Sequence, residues 1–287
     1  RELLADADVL VENLRPGKLE ALGLIPDELI ATNPRLVVTR ITGFGQDGPY
    51  RDRPGFATLA EAMSGYAAMS GEPDGGPQLP PVALTDEVTG LAAALATMIA
   101  VHSGQGQVVD ICLLESMLQV LGPLPAAWQR LGYLQPRMGS GIPYSVPRGT
   151  YLTADDRWVA VSASSESVAA RLMAMLGVGD DDRFADFDSR AAHREDIDRL
   201  LAEWIRARPL DEVLETFEAA QAAAAPVLDM AGLTDDPHVV ERNSLVEVDH
   251  VPMQGLVARL SATPGRIRWA GPDIDAHGED IRTHGWR

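Results

Sequence analysis

The chain has 287 residues, 46% of them hydrophobic, enough for a large core or for a large and a small domain. With 24 basic against 42 acidic residues the net charge is −18, which argues against a nucleic-acid surface, because phosphates must be met by a basic stripe. One cysteine, Cys112, excludes an intrachain disulfide, and no Cys/His cluster has metal-ligand spacing. The expectations are therefore a reducing compartment, the cytoplasm, and no metal. The longest apolar run, 91–101, is shorter than the roughly 20 residues that cross a bilayer, so no membrane partner is expected.

In chain order, residues 1–8 read as the end of a helix, so the chain looks like one whose beginning lies upstream, and no signal-peptide pattern is present. Val9-Leu10-Val11 reads as a short buried parallel strand, and 12–17 as the turn at its carboxyl end, where open α/β sheets bind ligands. Helices are predicted over 18–22, stopped by Gly23, and over 26–33, with Pro26 in the first turn. A second strand, 36–41, ends in Thr42-Gly43-Phe44-Gly45-Gln46-Asp47-Gly48-Pro49. Strand, helix, strand with Gly-containing turns is βαβ grammar.

Residues 55–69 read as one helix packed through small residues, with Glu61 its single acid, and 71–76 as a loop. Pro80 and Pro81 hold extended backbone, and after Asp86 a Gly/Ala-rich helix follows with Leu95, Met98 and Ile99 at helical spacing. On local sequence alone Asp86 or Thr85 is an ordinary N-cap. A turn at 102–107 leads into strand 108–112 and a long apolar helix, 113–131. The loop 138–149 contains a domain boundary, and its Gly139-Ser140-Gly141 reads as linker.

Beyond it, 149–162 reads as a hairpin turning at Asp155 and Asp156. Helices are expected at 165–176, 193–206 and 210–224, strands at 226–228 and 245–251, and a short helix at 234–242. Charge runs such as Asp180-Asp181-Asp182 read as solvated surface, and 252–287 as a loop-rich tail.

With these turns placed, the chain resembles the class III CoA-transferase family, which includes formyl-CoA transferase, carnitine CoA-transferase and the α-methylacyl-CoA racemases. The likeness rests on the order and spacing of several pieces. They are Ala7 through Gly17 (ADVLVENLRPG), Asn33-Pro34-Arg35-Leu36, the Thr42 to Pro49 turn, Ala60-Glu61-Ala62-Met63-Ser64-Gly65, Gly104-Gln105-Gly106-Gln107-Val108-Val109-Asp110 and Asp236-Pro237-His238. The resemblance implies an α/β fold: a Rossmann-like large domain formed by both ends of the chain (1–148 and 231–287), a smaller α+β domain (149–230), and an interlocked homodimer. It also implies a further βαβ unit ahead of Arg1 that helps to hold the CoA nucleotide.

The resemblance makes Asp86 the nucleophile, since the family's catalytic aspartate follows a Pro-Pro segment and starts a Gly/Ala-rich helix. A carboxylate attacking an acyl-CoA thioester gives a mixed anhydride and CoA thiolate, and the returning thiolate gives an aspartyl-CoA thioester. Coenzyme A and acyl-CoA are then substrates, with a small carboxylate as acceptor and no tightly bound cofactor. Asn13, Leu14 and Arg15, with Arg53, Pro54, Gly55, Phe56 and Ala57, are expected to line the CoA cleft. Glu61, a lone acid among small residues, is a second catalytic candidate, able to orient Asp86 or to repel its charge, or else to pair with an Arg across the dimer seam.

Two departures from the family pattern stand out. Many members carry an Arg for the CoA phosphate where Ala21 stands, which leaves Arg15 or Lys18 to take the charge. Val146-Pro147-Arg148-Gly149 leads straight into strand without a following glycine-rich loop, which points away from oxalate or formate. A racemase is the alternative within the family, but its His position holds Phe56 and no histidine occurs before His102. A non-catalytic CoA-binding subunit is the alternative outside catalysis.

Overall fold

The structure is a computed structural model and describes residues 1–285. The chain divides into two compact units, Arg1–Pro143 and the remainder from Tyr144.

In the first unit, β1 (Val9–Glu12), β2 (Val37–Thr42) and β3 (Gln107–Cys112) form a parallel sheet in the order β1-β2-β3. Val9 pairs with Val37 and Val37 with Gln107. Parallel neighbours need crossover connections. Those between β1 and β2 are α1 (Lys18–Ala21) and α2 (Pro26–Thr32), and those between β2 and β3 are α3 (Ala57–Met63), α4 (Tyr66–Met69) and α5 (Leu84–Ser103). The crossover from β1 to β2 closes over Leu19, Leu29, Leu36 and Val38. The expected βαβ grammar is present, in a mixed α/β architecture.

Two of the quoted sequence pieces have clear packing reasons. The Asn33 amide donates to the Leu4 and Ala7 carbonyls at 3.2 and 2.8 Å, and its oxygen accepts the Arg35 N–H. Gly106 donates its N–H to the Pro34 carbonyl at 2.8 Å, and a Cβ there would stand 2.7 Å from that same oxygen. No side chain fits at such a backbone crossing.

Several sequence expectations are corrected here. Only a 3₁₀ turn, Leu3–Ala5, forms within 1–8. The single helix read over 55–69 is two, because Gly65 adopts φ 99° between α3 and α4. The one read over 113–131 is α6 (Leu113–Val120) and α7 (Leu124–Leu131), parted by Gly122 in the left-handed region and by Pro123, which has no N–H to continue a ladder. Neither Asp86 nor Thr85 caps α5: the cap is Ala83 and Asp86 lies in the first turn. α5 runs for 20 residues, and it is the one helix among the described residues long and apolar enough to cross a membrane. It packs on β2, β3 and α6 through Thr85, Thr89, Ala93 and Ala100.

The second unit contains an antiparallel sheet, β4 (Arg148–Leu152), β5 (Trp158–Ser162) and β6 (Ala223–Pro226), in that order. Its core joins Val159 and Val161 to α8 (Glu166–Met175), α10 (Arg194–Arg206) and α11 (Leu210–Ala219) through Leu172, Ile197, Leu201, Ile205, Val213 and Phe217. The expected hairpin is there. The helix α9 (Phe187–Ala192), capped by Asp186, was not foreseen. α11 ends at Ala219 and Gln221 takes a positive φ, so the return strand starts three residues earlier than expected.

The helix read over 234–242 is instead α12 (Met230–Asp235) and α13 (Pro237–Glu241). Asp236 between them accepts the His238 and Val239 N–H groups at 3.0 Å, with Pro237 in the first position, which explains the Asp-Pro-His piece. The strand read over 245–251 is a hairpin, β7 (Leu245–Val248) and β8 (Val251–Gln254), turned by Asp249 and His250, both at positive φ. The tail contains one more helix, α14 (Gly278–His284).

Candidate active site

Adjacent parallel strands deliver their carboxyl ends to one edge, so the turns after β1 and β2 emerge side by side. The turn after β1 presents Asn13, Leu14 and Arg15 to solvent. Its backbone is held from below: the Glu12 carboxylate accepts the Leu14 N–H at 2.7 Å and, with its other oxygen, the Arg40 Nε–H at 2.6 Å. The same guanidinium donates to Glu20 on α1 at 2.7 and 3.3 Å. Arg40 is 5% exposed on the central strand. Its hydrogen bond holds the Glu20 carboxyl below the usual carboxylate range.

The turn after β2 is folded back on itself. Thr42 Oγ1 accepts the Gly45 N–H at 2.9 Å, and Asp110 on β3 accepts the Gln46 N–H at 3.0 Å. Tyr50 meets Phe44 edge to face and carries the Arg53 guanidinium 3.8 Å above its ring. Gly43 and Gly55 then touch backbone to backbone: a Cβ on either would lie 2.6 Å from the other's Cα. That contact brings 53–57 back beside the end of β2. Arg53, Pro54 and Phe56 are exposed, and Gly55 and Ala57 are half-buried.

Ala57 opens α3, whose Glu61 is 3% exposed and accepts the Thr85 hydroxyl at 3.0 Å. Thr85 and Thr89 are themselves buried, and the Thr89 hydroxyl donates to the Thr85 carbonyl at 2.7 Å. Asp86, the next residue, is exposed in the first turn of α5. Negative charge is favoured there by the helix N-terminus. Glu61 thus reaches the first turn of α5 through Thr85, and among the described residues it makes no hydrogen bond to the Asp86 carboxylate itself.

The turns at 13–15 and 53–57 stand on one sheet edge, and Glu61 meets the residue before Asp86. Sequence reasoning did not single out Arg40 or Glu20, and it read Thr85 only as a candidate N-cap, not as the partner of Glu61. The signal available for Arg40 was a charge inside the otherwise uncharged strand Val-Val-Thr-Arg-Ile-Thr. Cys112 is buried at the start of α6, its thiol pushed up to about 11 by burial, so it supplies no ready thiolate nucleophile.

A family model described as CoA-transferase family III matches residues 1–278. The chain is 35% identical over 295 residues to the succinyl-CoA–D-citramalate CoA-transferase of Chloroflexus aurantiacus, covering 99% of this chain and 73% of that protein. It is 38% identical over 296 residues to the beta subunit of succinyl-CoA–L-malate CoA-transferase of the same organism, covering 98% and 73%. A crystal structure of a CAIB/BAIF family protein from Brucella suis matches with a TM-score of 0.85 at 30% identity, over 99% of this chain and 78% of that one. A family match through nearly the whole length, with relatives named as CoA-transferases, leaves one assignment: the chain belongs to CoA-transferase family III and is an enzyme of that class.

Proposed function

We propose that the protein transfers CoA from an acyl-CoA donor to a free carboxylate, with Asp86 as the nucleophile. The observation that carries this reading is the exposed Asp86 carboxylate in the first turn of α5, directly after a Thr85 anchored to buried Glu61. A carboxylate oxygen of Asp86 attacks the thioester carbonyl, and the C–S bond breaks to release CoA thiolate and leave a mixed anhydride. The thiolate attacks the aspartyl carbonyl, which expels the donor as its free carboxylate and leaves an aspartyl-CoA thioester. The acceptor carboxylate attacks that thioester, and the released thiolate takes the acceptor's acyl group from the second anhydride, restoring Asp86. Each step exchanges one acyl bond for another, so no oxidant enters and no metal is needed.

Asn13, Leu14 and Arg15, with residues 53–57, line the CoA side of the site in this reading, and Arg15 or Lys18 meets phosphate in place of the Arg missing at Ala21. The named relatives use succinyl-CoA, which makes succinyl-CoA and a dicarboxylate acceptor the first pair to assay. Incubating the full-length protein with acyl-CoA and then hydroxylamine is expected to convert Asp86 to a hydroxamate detectable by mass spectrometry. A label on another acid, with Asp86 untouched, would sink the assignment.

Glu61 serves in this reading as a positioning residue for the first turn of α5. Glu61→Gln is expected to lower kcat by roughly tenfold with donor KM little changed, because Thr85 loses a charged acceptor worth about 1.5–3 kcal/mol. Unchanged turnover with weaker self-association would instead assign Glu61 to the dimer seam.

The proposal includes an interlocked homodimer in the cytoplasm, with a Rossmann-like large domain to which residues from 231 onward return; 286 and 287 lie outside the described residues. What supports a partner is the inverted face of α5: small and hydroxyl residues are buried, while Leu91, Leu95, Met98 and Ile99 are each more than 60% exposed. A monomer seldom leaves such a stripe in water. In the tail, Val251, Leu256 and Val257 are exposed, whereas Met253 is half-buried. Sedimentation at micromolar concentration is expected to show a dimer and no folded monomer. A compact monomer would overturn the interlocked reading, and a chain that assembles only with a different subunit would favour a pairing like that of the alpha and beta subunits among its relatives.

A further inference from the structure

We propose that Arg40 is a positioning residue for coenzyme A, its guanidinium pre-shaping the turn at 13–15 through Glu12 and Glu20 before the ligand arrives. The proposal rests on the CoA reading of that turn. Arg40 stands on the central strand beside buried Val37 and Val38, where a charge is costly unless it is fully paired. It is paired twice. Nε–H donates to Glu12, the last residue of β1, and Nη1 and Nη2 donate to Glu20 on α1, so one planar fork ties together the two elements that bracket residues 13–17.

The chain of contacts does not end in the carboxylates. The second oxygen of Glu12 accepts the Leu14 N–H at 2.7 Å, so strand, guanidinium, carboxylate and turn amide form one line. The side chains of Asn13, Leu14 and Arg15 are left exposed on a backbone that is already fixed. If only stability were at stake, buried apolar residues of similar size would serve as well as such a charged triad. What the triad adds is one conformation for the turn, and a preformed turn spares the binding step the cost of ordering it.

The test is Glu12→Gln in the full-length protein. The volume is kept, but Arg40 Nε–H and Leu14 N–H donate to different oxygens of Glu12, and a carboxamide puts a donating NH₂ at one of those two places; with the oxygen turned to the charged guanidinium, the Leu14 N–H loses its acceptor. Amide exchange at Leu14 is expected to speed up. The calorimetric Kd for CoA and the KM for acyl-CoA are expected to rise about ten- to a hundredfold, the size of a small misplacement of binding groups. The acceptor KM and kcat are expected to stay within about twofold, since neither depends on uniform CoA binding.

Arg40→Lys keeps the charge without the fork and is expected to fall in the same direction. Glu20→Gln, on the partly exposed side, is expected to give a smaller shift and serves as the second variant if Glu12→Gln fails to fold. Unchanged Leu14 exchange, or faster exchange with CoA affinity within twofold of wild type, overturns the proposal. Faster Leu14 exchange in a protein whose wild type binds no CoA at all overturns the CoA reading, and the proposal with it.

Discussion

Asp86→Asn is expected to abolish CoA transfer, lowering kcat by roughly 10⁴–10⁶-fold, the loss seen when an enzyme is deprived of its nucleophile. The amide is nearly the shape of the carboxylate, but its oxygen carries no charge and forms no anhydride at a useful rate. The side chain is exposed and makes none of the contacts that hold α5, which packs through Thr85, Thr89, Ala93 and Ala100. The variant should therefore fold, melt within a few degrees of wild type and bind CoA unchanged, so that only turnover and the hydroxylamine label are lost. Transfer within tenfold of wild type would assign the nucleophile elsewhere.

Arg190→Ala is expected to lower unfolding stability by about 3–5 kcal/mol, read as a drop in the urea midpoint at unchanged slope. Arg190 is 2% exposed in α9. Its Nη2 donates to both oxygens of Glu166 at 2.9 Å, Nε–H to the Val146 carbonyl at 3.2 Å, and Nη1 to the Phe184 carbonyl at 3.3 Å. Truncation opens a cavity beside the second unit's core and strips two carbonyls of their donor. Glu166→Gln, by contrast, is expected to cost about 1 kcal/mol or less, because that carboxylate is largely in water. A loss under about 1 kcal/mol for Arg190→Ala would show that the unit closes without this fork.

Much of the first unit was legible because its signals are local. Short apolar strands followed by glycine turns announced the parallel sheet, and Pro26 and Gly23 bounded their helices within a residue or two. Where reading failed, the punctuation was present but underweighted: Gly65 and Gly122-Pro123 split helices that apolar periodicity had joined, and Asp249-His250 turned a strand that its valines had prolonged. α9 was passed over because an acidic neighbourhood hid the buried Arg190 at its centre.

By itself the sequence determined the βαβ order, the family, and the place of Asp86 at the start of a Gly/Ala-rich helix, since turn chemistry and strand and helix periods depend on neighbours a few residues apart. Tertiary structure alone decided which face of that helix is buried. The sheet surface of β2 and β3 accepts only small side chains at close approach, so threonine and alanine go inward and leucine and methionine face out. It also decided what Glu61 and Arg40 touch. Their partners lie 24, 28 and 20 residues away, and no local period carries the register of strands and helices that brings such groups within hydrogen-bonding distance.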